Sequence, residues 1–184
     1  DVSRAIEESI NSLERLGEPM NLAHIEYNTV CEELMKRKKQ FSGDMLLAAN
    51  PLVDLNKVRA MKIMSSIIRY YDQKESFLGA FVSCRMLEIS IKYGQCEDSV
   101  YGAAAFASAL INCLGDIDDG SAWGRTALSL MKKHGQQMPG PSIYATLFGT
   151  VFVWKGEPAS PIFIFHVWGF DFLLCSLVCA LLFR

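Results

Sequence analysis

Residues Ser99–His134 read SVYGAAAFASALINCLGDIDDGSAWGRTALSLMKKH. Apolar residues recur at helical spacing over Ser99–Leu114 and again from about Asp119 to His134. Only Gly-Asp-Ile-Asp separates the two runs, a connection that suits an antiparallel turn. The stretch therefore predicts a helical hairpin. Its expected facing positions are small (Ala103, Ala104, Ala107, Ser108, Gly120, Gly124 and Ala127), which lets the two helices approach closely. Phe106, Leu110, Trp123, Leu128 and Leu130 are left to fill the seams. Gly115, Asp116, Asp118 and Asp119 form the turn: Gly115 is expected to end the first helix, and Asp118 or Asp119 to cap the second. A calcium loop of the EF-hand type would need an acid or amide at position 120 and a Glu at 127, where Gly120 and Ala127 stand.

The same periodicity extends in both directions. Val2–Leu16 is amphipathic and stopped by Gly17; further helices are expected over about 22–37, 42–49, 55–71 behind Asp54, 77–93 behind Ser76, and 142–154. Together with the hairpin this makes eight helices, and no segment alternates as a strand would. The fold class is all-α, and the short connections predict stacked antiparallel helical hairpins in a tetratricopeptide-like superhelix. Gly115-Asp116, Gly120 and Ala127-Leu128 loosely follow the spacing of a tetratricopeptide hairpin.

Composition narrows the function classes. The net charge of −2 argues against nucleic-acid binding, which needs a basic surplus. The one basic run, Lys36-Arg37-Lys38-Lys39, reads as a solvated helix end. Six cysteines stand without C-x-x-C spacing in apolar surroundings, as core thiols of a reduced, cytoplasmic compartment would. Asp1–Leu16 is charged and amphipathic rather than an apolar block, so no secretory signal is expected there. His24, His134 and His166 lack a second ligand at helical spacing, so no metal is expected, and His134 suits a helix C-terminus. There is no phosphate-binding G-x-x-x-x-G-K-[ST], no H-R-D loop and no framed nucleophile; neither a catalytic residue nor a cofactor site is expected, and the chain is not expected to be an enzyme.

As strings, AIEESINSLERLGEPM (5–20), NPLVDLNKVRAMKIMSSII (50–68), RMLEISIKYGQCEDSVYGAAAFASALINCLGDIDDGSAWGRTALSLMKKH (85–134) and VFVWKGEP (151–158) resemble the helical-repeat middle region of very large signalling proteins. Those proteins join a serine/threonine kinase, a STAND-type AAA ATPase, tetratricopeptide-like helices, a GAF domain and often a histidine kinase. The resemblance implies a fragment or relative of such a protein: a non-catalytic interaction or regulatory arm over 1–158, with protein partners, among them kinase or ATPase modules of the same system. It transfers no catalytic residue and no ATP binding.

The resemblance ends at Pro158. Residues 159–184 are hydrophobic on nearly every side, and Ile162–Phe183 is long enough to cross a hydrocarbon core of about 30 Å as a helix. Asp171, near its centre, costs about 3 kcal/mol against many small apolar gains, which leaves insertion narrowly favourable. A membrane-tethered helical adaptor is the alternative function this segment suggests. A buried terminal helix and an aberrant terminus of unrelated sequence are the other readings of the tail.

Overall fold

The computed structural model describes residues 2–22, 25–71, 76–135 and 140–155. The hydrophobic segment 159–184, with its expected membrane span, lies outside the described residues, as do His24 and His166. Among the described residues the chain is all-helical, apart from one isolated bridge between Pro51 and Gln95. No helix among them is long and apolar enough to cross a membrane.

The helices are α1 (Val2–Arg15), α2 (Tyr27–Gln40), α3 (Gly43–Ala48), α4 (Leu55–Tyr71), α5 (Ser76–Tyr93), α6 (Ser99–Leu114), α7 (Ile117–Lys133) and α8 (Pro141–Thr146). The last continues through a π turn, Leu147–Val151, into a 3-10 turn, Phe152–Lys155. Local chemistry sets several of these ends. The Ser42 hydroxyl accepts the amide of Met45 at 3.3 Å, and Asp54 Oδ1 accepts those of Asn56 and Lys57 at 2.8 and 3.3 Å. Gly115 adopts φ 68°, left-handed, and the amides of Gly115 and Asp116 close the α6 carbonyls of Ile111 and Leu110.

Two helix starts differ from the sequence expectation by more than one residue. α2 begins at Tyr27 rather than near Leu22, because Met20 and Leu22 bury their side chains from a non-helical connection. α7 begins at Ile117 rather than Asp119, since the N-cap is Asp116: its carboxylate accepts the Asp119 amide at 3.1 Å. Asp118 and Asp119 lie inside the first turn, where their charge suits the positive helix end.

Successive helices α4, α5, α6 and α7 each pack on the next, as hairpins would. The first three helices depart from that pattern. α1 packs on α4, α2 lies across α5 and α6, and α3 rests on α7 and α5. The apolar interior accordingly forms two clusters. One gathers α2, α3, α6, α7 and the C-terminal helical run around Phe106; the other gathers α1, its following connection and α4 around Met61 and Met64. α5 serves both, giving Ala80, Cys84 and Leu87 to the first and Val82, Met86 and Ile89 to the second. That double duty explains why α5 is apolar around most of its circumference.

Between α6 and α7 the small residues do what their size allows. Ala104, Ala107, Gly120, Trp123 and Ala127 are buried, whereas the Ser108 hydroxyl turns to Asn112 and to Thr150 of the C-terminal run at 3.0 and 3.2 Å. A Cβ at Gly120 would lie 2.9 Å from the Ala107 carbonyl oxygen and 2.5 Å from Ile111 Cγ1. The backbone oxygen cannot rotate away, so the helices would have to part. Gly120→Ala is expected to destabilise the fold by about 1–3 kcal/mol despite alanine's better helix propensity. Chemical denaturation checks this; an unchanged or raised midpoint would refute the close approach.

Candidate interaction cleft

Gly17, at φ 77°, ends α1 and lets the amide of Glu18 reach back to the Leu13 carbonyl at 2.9 Å. Glu18 is thereby pressed into the interior, 1% exposed. A buried carboxylate needs cations, and it has two. Lys57 of α4 pairs with Oε1, while Arg85 of α5 donates from Nε and Nη2 to Oε2 at 2.9 and 2.6 Å.

From Arg85 the charges continue as an alternating ladder. Arg85 Nη1 meets Glu88 Oε2 at 2.8 Å, and Arg37 Nη2 of α2 meets the same oxygen at 3.2 Å. Arg37 also meets Glu33 Oε2 at 3.3 Å, and Lys36 reaches Glu33 Oε1 at 3.3 Å. Burial opposes the charge on Glu88, but hydrogen bonding to Arg85 and the fields of Arg85, Arg37 and Lys92 outweigh it and hold its carboxyl below the usual range. The Arg37 Nε atom is buried with no hydrogen-bond partner among the described residues.

The ladder borders a cleft of about 540 Å³ between α2 and α5, under the α1–α2 connection. Pro19 and Met20, Phe81 and Cys84 supply apolar wall; Glu33, Arg37, Arg85 and Glu88 supply the charges. Burial pushes the Cys84 thiol up to about 12, so at neutral pH it is protonated wall material and not a nucleophile.

The basic run 36–39 is therefore not a solvated helix end throughout. Arg37 is a strut of the ladder, and Lys38 pairs with Asp116 and, at 2.7 Å, with Asp119. Those two contacts fasten α2 to the α6–α7 turn. The Lys38 hydrogen bond and the Asp119 amide hold the Asp116 carboxyl below the ordinary aspartate value of 3.8. A depressed acid stabilises the fold at pH values above its unfolded value and loses that contribution as pH falls through its folded one. The denaturation midpoint is thus expected to drop on acidification below about pH 4, with a smaller drop in Asp116→Asn; equal slopes would refute the pairing.

Burial also lowers the pKa of His134 at the end of α7, which leaves Lys132 and Lys133 to supply positive charge there. Lys133 Nζ and Gln95 Nε2 both donate to the carbonyls of Leu47 and Ala49, tying the α3–α4 connection to α5–α6 and α7. No group of three His, Cys, Asp or Glu side chains suited to a metal ion occurs among the described residues.

The expected site residues 115–120 and 104–127 thus meet at the hairpin, away from the cleft lining. The cleft itself went unforeseen. Its one sequence cue was the i, i+3 and i, i+4 charge pattern Arg85/Glu88 and Glu33/Arg37 on two separate helices. No protein family, curated protein or solved structure matches the chain.

Proposed function

We propose that residues 1–158 are a non-catalytic, tetratricopeptide-like interaction or regulatory arm, a fragment or relative of a multi-domain signalling ATPase or kinase. The observation that carries this reading is the cleft between α2 and α5. Its volume, about 540 Å³, suits a few side chains of a protein segment, its walls are apolar, and its charges cancel. Arg37 and Arg85 against Glu33 and Glu88 select a partner that offers both signs, since a polyanion would meet two carboxylates. Consecutive packing of α4 to α7 supports the repeat-like arrangement. The partners we assign are protein segments, among them the kinase or ATPase modules of the same cytoplasmic system; no cofactor enters the reading.

The test is binding of the full chain to isolated kinase and ATPase modules and to a peptide library. We expect a partner whose affinity falls at least tenfold in Glu88→Ala. Failure to bind any module or peptide, or ATP turnover by this chain alone, would overturn the reading.

A further inference from the structure

Four described cysteines are free thiols, and two of them, 82 positions apart, meet across the α2–α6 contact. Tyr27 and Cys31 lie one turn apart on α2. The Tyr27 hydroxyl donates to the Cys113 carbonyl oxygen at 3.1 Å, and Cys31 Sγ approaches the same oxygen at 3.8 Å. That carbonyl belongs to the last turn of α6, where no intrahelical amide is left for it. With Cys31 Sγ against the Cys113 main chain, the two residues share one contact between α2 and α6, the kind of close placement that a disulfide requires of its partners. Both cysteines are partly exposed, whereas Cys84 is buried and Cys96 is engaged by the Ser99 hydroxyl.

We propose that Cys31 and Cys113 are a reversible dithiol–disulfide pair, a covalent tie between α2 and α6 made by hydrogen peroxide. One thiol loses its proton, and its sulfur attacks a peroxide oxygen. The O–O bond breaks and hydroxide leaves, taking up that proton as water. The resulting sulfenic acid is attacked by the second sulfur, its S–O bond breaks, and the hydroxide leaves with the second proton as another water. Two thiols and one peroxide become one disulfide and two waters; a dithiol reductant reverses the change by exchange. Burial and the neighbouring Cys31 raise the Cys113 pKa against the opposing Tyr27 hydrogen bond, so its thiolate is scarce at neutral pH and the bond forms faster as pH rises.

The experiment treats the reduced full chain with hydrogen peroxide and reads intact mass and protease-derived peptides. The expected product is about 2 Da lighter, contains a Cys31–Cys113 cross-linked peptide, and returns to the starting mass with dithiothreitol. Its unfolding midpoint rises by about 5–10 °C, as a long closed loop implies. Cys31→Ser and Cys113→Ser each lose the cross-link, Cys84→Ser keeps it, and circular dichroism confirms that the variants fold. The proposal fails if the bridge uses Cys84, Cys96, Cys175 or Cys179 in place of either residue. It fails equally if only sulfinic or intermolecular products form.

Discussion

Glu18→Ala is expected to destabilise the fold by about 3–5 kcal/mol, the largest effect of any single polar substitution among the described residues. The carboxylate is 1% exposed and carries Lys57 and Arg85 on its two oxygens. Its removal leaves Lys57, 15% exposed, without its counter-ion. Arg85 keeps Glu88, and Lys57 keeps the Tyr93 ring 4.5 Å from its ammonium, so the loss should fall toward the lower end of that range. Denaturant titration measures it. Replacing Glu18, Lys57 and Arg85 together by methionine is the discriminating control, because removing both signs at once can be close to neutral. Equal losses in the single and triple variants would show that packing, and not the unpaired charge, is responsible.

Phe106→Ala is expected to cost about 3–5 kcal/mol by a different route, the loss of buried apolar volume. Phe106 is fully buried and meets Trp123 edge to face, with ring centroids 5.0 Å apart at 78°. Trp123 comes from α7, so the truncation opens a void at the α6–α7 seam where Gly120 has already brought the backbones together. Phe106→Leu should cost less than half as much. A fall in the denaturation midpoint at constant slope is the expected result, and near-wild-type stability of the alanine variant would mean that the seam collapses onto the gap.

The helices themselves were legible in the sequence wherever local chemistry decides them. Asp54 and Gly115 are a cap and a stop whose role follows from side-chain type, and the structure has them in that role, whereas Ser42, expected as the first helical residue, is the N-cap of α3. The helical period of α6 likewise follows from its apolar spacing. Boundaries were less legible where tertiary contact decides. Met20 and Leu22 look like the opening of a helix, yet they are buried from irregular chain. Among Asp116, Asp118 and Asp119, each a fit N-cap by type, only the backbone geometry distinguishes Asp116.

The cleft was the least legible feature, for a physical reason. An ion pair within one helix shows in the sequence at i, i+3 or i, i+4, but Glu18 meets Arg85 across 67 positions and Lys38 meets Asp116 across 78. Glutamate is almost never fully buried unless paired, so nothing at position 18 announces its burial. The meeting of Cys31 with Cys113 was hidden in the same way. It depends on α2 crossing α6, a placement that no period in either helix encodes.

The sharing of α5 between two apolar clusters bears on how the molecule comes apart. In a linear repeat array each unit leans only on its neighbours, so an end can fray while the middle holds. Here the helix that would separate the halves is itself interior to both, and neither half can release it without exposing the other's apolar face. Slow amide exchange should therefore be shared: the most protected amides of α4 and α6 should open together with those of α5, at one common free energy. Cooperativity in this chain runs chiefly through one helix with two inner sides, to which Ala105 of α6 adds a second, smaller bridge.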